Sequence, residues 1–175
     1  IENVGSEDSH ARALWGLGSA VALSRDRGMR AHAVDLFDRA LHATEAFRSP
    51  RSWAFSIIGI DAYLIRYSGD SDAKRMREAL ASRLYEGVEK AATEDWPWPE
   101  DTLTYACGKL PHAMLLAGRG MRHDGMIDIG LRSLDWLLKI QTCHDEHLSL
   151  IGNQGWYPRG GEKASYDQQP IEAHA

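Results

Sequence analysis

Ser49-Pro50-Arg51-Ser52-Trp53-Ala54-Phe55-Ser56-Ile57-Ile58-Gly59-Ile60 is the stretch whose reading decides the fold class. Serine followed by proline marks a helix start: the hydroxyl can accept from a free first-turn amide, and proline fits the first helical position. The residues that follow are apolar over much of the circumference, through Trp53, Ala54, Phe55, Ile57, Ile58 and Ile60. A helix with no polar face is buried between other helices. The run continues as a helix to about residue 67 and stops at Ser68-Gly69-Asp70.

The segments on either side are amphipathic. Residues 30–47 put Val34, Phe37, Ala40 and Leu41 on one face, at the spacing of a helix. Residues 73–92 carry a narrow stripe of Met76, Leu80, Leu84 and Val88, with Lys74, Arg75, Arg77 and Glu78 outside it. Further helices are expected over 8–25, 99–117 and 123–141, with Pro97-Trp98-Pro99 ending the fourth helix and opening the fifth. Residues 142–168 are rich in glycine and turn formers, with a short hairpin expected around 152–160, and Pro170 opens a seventh helix. The first, third and fifth helices are apolar over much of their surface, whereas the second, fourth and sixth are amphipathic. That alternation predicts an all-α, two-layered array of helical hairpins, with odd-numbered helices inside and even-numbered helices outside.

Composition excludes several functions. With 43% hydrophobic residues in 175, the chain can bury a sizeable core. Its longest apolar runs fall far short of a membrane span, so no membrane partner is expected. The net charge is -5 without a basic block, which argues against nucleic acid. Cys107 and Cys143 cannot supply a disulfide framework and, unpaired, favour the cytoplasm. The sequence starts at Ile1 without a signal-peptide pattern or initiator Met, and closes one turn into its seventh helix. The expectation is therefore a single domain over 1–175 that is a fragment truncated at its C-terminal end. Self-association, or contact with the missing remainder, would cover its open flank.

Polar and aromatic residues gather at the starts of the odd helices. They read Ser6-Glu7-Asp8-Ser9-His10, Ser49 to Trp53, Trp96-Pro97-Trp98-Pro99-Glu100-Asp101-Thr102, and Tyr166-Asp167-Gln168-Gln169-Pro170-Ile171-Glu172. Alternate helices of an up-and-down array point the same way, so these clusters are expected to converge on one mouth.

Four stretches carry a family resemblance: Glu7 to Trp15, Trp98 to Tyr105, Ile151 to Tyr157, and Asp167 to Ala173. Together they resemble a bacterial carbohydrate-related family, often labelled glycosyltransferase, of the six-hairpin glycosidase-like (α/α)6 toroid superfamily. The resemblance implies a helical toroid, of which this chain would be the N-terminal half to two-thirds, with its active site where the inner helices begin. It implies a saccharide or glycan substrate and transfers no catalytic residue. The chain has no nucleotide-sugar binding motif of the Rossmann type.

Glycoside cleavage uses two carboxyl groups, one protonated and one ionised. Asp101 and Glu172 are the first candidates, followed by Asp8, with Asp167 behind them. The competing reading is structural, because both would fall in the first helical turn, where acids act as caps. Trp96, Trp98 and Tyr105 would give a general acid its apolar cover. Trp98, Trp156 and Tyr157 suit stacking on sugar faces, Asn153, Gln154, Gln168 and Gln169 suit hydroxyls, and Arg12 and Arg51 suit an anionic substituent. His10 and His174 could form the acid/base pair of a sugar epimerase, the second alternative. The first is a non-catalytic scaffold or sugar-binding module associated with a glycosyltransferase. No cofactor is expected. Cys143-His144-Asp145-Glu146-His147 resembles a metal cluster, but its spacing matches no standard zinc motif, and it reads as a solvated polar turn rather than a metal site.

Overall fold

A computed structural model describes residues 5–145 and 147–173 of the chain. Six α-helices carry most of the structure: α1 Glu7–Leu23, α2 Arg27–Leu41, α3 Pro50–Leu64, α4 Ser71–Ala91, α5 Lys109–Met121 and α6 Asp124–Ile140. A 3-10 helix, His42–Ala46, extends α2. Two short strands, β1 Thr102–Leu103 and β2 Tyr157–Pro158, pair antiparallel. The fold is thus mostly helical, as expected.

The helix starts follow local chemistry. Ser6, Asp26 and Asp70 each accept a backbone N–H three residues on, capping α1, α2 and α4. Ser49 holds the cap position of α3, with Pro50 behind it, but its side chain makes no capping bond. α5 ends on Arg122 in the left-handed conformation (φ 57°), and the next helix begins immediately, capped by His123.

The helices form three hairpins, α1–α2, α3–α4 and α5–α6, whose first members pack side by side in the order α1, α3, α5. α3 is the buried centre, with every residue from Ala54 to Ile60 enclosed. α4 turns Met76, Leu80, Leu84 and Val88 inward, as its stripe predicts. α1 is less enclosed than expected: only Ala11, Leu14, Gly18 and Val21 are buried along one stripe. It packs against α2 on one side and α3 on the other, which leaves the rest of its surface to solvent.

α1 and α3 approach closely because both carry glycine at the crossing. A Cβ on Gly18 would lie 2.0 Å from the Gly59 carbonyl oxygen, and one on Gly59 would lie 2.7 Å from Trp15 Cα. The main core gathers around Phe37, Ile57, Ile60, Leu80, Leu84 and Met114. Phe37 stacks flat on Tyr63, with ring centroids 4.1 Å apart.

Three sequence expectations need correction. The fifth helix begins at Lys109 rather than at Pro99. Residues 97–108 are held by tertiary contacts instead: Leu103 pairs with Tyr157, the Asp101 carbonyl accepts from the Arg159 N–H, and Ala106 has a positive φ of 51°. These commitments take the backbone out of helical register. The expected hairpin over 152–160 is replaced by the pairing of β2 with β1. At Pro170 the described residues form only a 3-10 turn, Pro170–Ala173.

Candidate functional site

The polar clusters do converge. Glu7, in the first turn of α1, accepts through Oε2 from the backbone N–H groups of Arg48 and Ser49 at the entrance to α3. Asp8 accepts the Tyr105 hydroxyl at 3.1 Å and pairs with Arg12 one turn on, at 2.7 Å. Arg51, in the first turn of α3, donates from Nε to the Tyr105 carbonyl at 2.7 Å. Its Nη1 donates to both carboxylate oxygens of Glu100, at 2.7 and 2.6 Å. Glu172 accepts the Ala106 N–H at 2.6 Å. The dipeptide Tyr105-Ala106 therefore joins segments that lie 97 residues before it and 66 residues after it in sequence.

Cationic side chains lie among the carboxyl groups of this cluster. Arg51 is only 4% exposed, its guanidinium lies 5.0 Å from the Tyr105 ring centroid, and its Nη2 has no hydrogen-bond partner. The Arg12 guanidinium covers Phe55 at 4.2 Å, and Lys109 Nζ lies 4.8 Å from the Trp15 ring centroid. Burial lowers the Lys109 ammonium below the ordinary lysine value, assisted by Arg12. Burial pushes the Cys107 thiol up to about 12, so it is an inert core group and not a nucleophile. Burial also raises the Tyr105 hydroxyl, and the neighbouring Asp8 adds to the shift.

Glu172 is the carboxyl with the greatest chemical interest. Burial raises it above the ordinary glutamate value, while the Ala106 and Cys107 amides and the Arg51 and Arg12 charges partly offset the rise. Its apolar cover comes from α6 and the loop after it, not from the tryptophans: Glu172 lines a cavity of about 170 Å³ with Leu134, Leu137 and Leu138 of α6 and with Leu150. A raised carboxyl binds its proton more tightly in the folded chain than in the unfolded one. Its contribution to stability is full below the unfolded glutamate value and declines as pH rises toward the folded value. Glu172→Gln should flatten that decline as pH rises above the ordinary glutamate value. Urea unfolding of both proteins over this rise in pH is the check, and equal slopes would contradict the assignment.

The remaining candidates lie in several places. Asp101 is outside the convergent group: its side chain is 91% exposed and faces Arg159 at 3.7 Å. It sits beside a strand, not in a helical first turn, so the capping role expected there does not apply. Its neighbour Glu100 enters the site instead. Trp98 is 1% exposed and close to Trp136, which makes it a core residue with no free face for a sugar ring. Trp96 is also buried, and donates its indole N–H to the Glu100 carbonyl. His10 faces α2, with Nε2 2.9 Å from the Ala40 carbonyl and its ring edge-on to Phe47.

The polar residues after α6 mostly tie loops together. Gln168 accepts the Leu150 N–H and donates to the Ser165 carbonyl, and Asn153 donates its N–H to the Asp167 carbonyl. Gln154, Asp167 and Gln169 are exposed, whereas Trp156 and Tyr157 are half-buried against the core. His174 lies outside the described residues, as does Glu146.

Sequence reasoning missed Glu100 and Lys109. A helical register from Pro99 would have sent Glu100 and Asp101 in different directions, and nothing local indicates that the helix is absent. Lys109 would have been a mid-helix surface lysine in that register. A search of protein-family models, of curated proteins and of solved structures finds no match to this chain.

Proposed function

We propose that the chain belongs to a carbohydrate-active (α/α) toroid, and that it cleaves or transfers a glycosidic bond where α1, α3 and the approach to α5 meet. The observation that carries this reading is Glu172: a half-buried carboxyl raised by burial, held by the same dipeptide whose other residue binds Asp8. Two carboxyl groups in unlike surroundings suit acid/base chemistry. Glu172, under apolar cover, is the general acid. Asp8, held by the Arg12 guanidinium and the Tyr105 hydroxyl, is its carboxylate partner in the reaction, a role for which it is better placed than Asp101. The three stacked hairpins support the toroid, and the residue motifs support the sugar. Two free cysteines suit a cytoplasmic setting, and no described helix is long and apolar enough to cross a membrane.

A panel of aryl glycosides and oligosaccharides, followed by sugar release, tests the proposal. Glu172→Gln and Asp8→Asn should each lower turnover of any accepted substrate at least about 100-fold, while Asp101→Asn leaves it within about twofold. Activity retained in both of the first two variants would overturn the assignment. The scaffold or binding-module reading is favoured by one observation: Glu7, Glu100 and Glu172 all already accept hydrogen bonds from protein groups. It predicts glycan binding, or no binding, with no bond cleaved.

A further inference from the structure

The link between α6 and β2 carries a thiol, a carboxylate and an imidazole at alternate positions, Cys143, Asp145 and His147. The backbone draws this segment into a closed loop. The Cys143 N–H donates to the His147 carbonyl at 2.9 Å, Thr142 bridges Leu148 in antiparallel fashion, and the Ser149 N–H reaches the Gln141 carbonyl at 2.8 Å. Thr142 Oγ1 donates to the Leu138 carbonyl at 2.7 Å, which anchors the loop to the last turn of α6.

Donor atoms of the three side chains lie within 4.8 Å of one another, and Asp145 Oδ1 is 2.8 Å from His147 Nδ1. Ligands of a four-coordinate zinc ion, bonded at about 2.0–2.3 Å, stand roughly 3.3–3.8 Å apart. Small side-chain rotations therefore convert the cluster into a coordination set. Asp145 and His147 are 73% and 63% exposed, so both can turn, and water can fill the fourth position. A thiolate beside an imidazole selects a borderline-soft divalent ion over calcium or magnesium, which take oxygen ligands.

We infer that Cys143, Asp145 and His147 form a binding site for a zinc-class divalent metal ion, completed by water. The ion clamps the loop between α6 and the segment that Gln168 holds through the Leu150 N–H. The inference is independent of the carboxyl site, since it uses none of its residues.

Cobalt(II) is the probe. Added to the untagged, metal-free chain, it should give a near-ultraviolet thiolate-to-cobalt charge-transfer band that saturates at one equivalent and is bleached by zinc. Cys143→Ser, a near-isosteric change at a half-buried loop position, should abolish the band. Asp145→Ala and His147→Ala should each weaken cobalt binding at least about tenfold. The inference is overturned if no such band forms at one equivalent. It is also overturned if the band survives Cys143→Ser, or if His147→Ala binds cobalt as tightly as the parent chain.

Discussion

A chain with alanine at position 18 is expected to unfold at a temperature roughly 6–12 °C below the parent, corresponding to a loss of about 3 kcal/mol. In the middle of an exposed helix the same change would gain up to about 1 kcal/mol, because glycine lowers helix propensity. At Gly18 the steric term decides the sign. The new Cβ would sit 2.0 Å from the Gly59 carbonyl oxygen and 2.8 Å from its carbon, and both atoms belong to the α3 backbone. No rotamer change relieves such a contact, so α1 must move away from α3 and give up contacts along the crossing.

Gly16 supplies the control within the same helix. It is exposed, and a Cβ there would meet nothing within 4 Å. Gly16→Ala should therefore stabilise the chain by up to about 1 kcal/mol. Thermal and urea unfolding followed by circular dichroism would measure both variants. Agreement between them to within about 0.5 kcal/mol would contradict the close approach. Gly59→Ala should behave like Gly18→Ala, since its Cβ would meet Trp15 Cα at 2.7 Å and the Leu14 carbonyl at 2.8 Å. Because α1 also carries Asp8 and Arg12, movement at Gly18 should disturb the Asp8–Tyr105 contact as well.

Arg51→Met should cost a similar amount, about 3 kcal/mol, for an electrostatic reason. The guanidinium is buried and supplies the Glu100 carboxylate and the Tyr105 carbonyl together. Its removal leaves one charge and one carbonyl with lost hydrogen bonds in a largely enclosed site. Removing one partner of a fully buried ion pair costs 3–5 kcal/mol as a general rule, and Glu100 lies at the lower end because its side chain is 28% exposed. Adding Glu100→Gln removes the stranded charge, so the double variant should be more stable than the sum of the single changes by at least about 1 kcal/mol. Additive losses would show that the pair contributes no coupling. Arg51→Lys should recover only part of the loss, since one ammonium cannot reproduce the separate Nε and Nη1 contacts.

Particular residues show how far the sequence could be read. Ser49-Pro50 and the apolar run after it placed α3 and its burial correctly, because a helix with no polar face has only one kind of environment available. The convergence of the polar clusters followed from alternation alone, and Glu7, Asp8, Arg51 and Glu172 do meet at one end of the hairpins. Residues 97–108 were misread for an equally physical reason. Pro99 is a good first helical residue, but the competing state is held by a strand pair, an Arg159 bond and the insertion of Trp96 and Trp98 into the core. Those partners lie tens of residues away, so no local pattern announces them.

Hydrophobic periodicity, capping residues and glycine stops by themselves determined the order and most of the inward faces of the six α-helices, but they also announced a seventh at Pro170 and opened the fifth at Pro99, because each of these signals acts within a few residues. Tertiary structure alone decided which carboxyl groups share the site. It turned Asp101 to solvent and Trp98 into the core, brought Glu100 onto Arg51, and set Glu172 beside Ala106 under the leucines of α6. Burial and charge pairing are sums over everything that packs around a group, and those neighbours come from all along the chain.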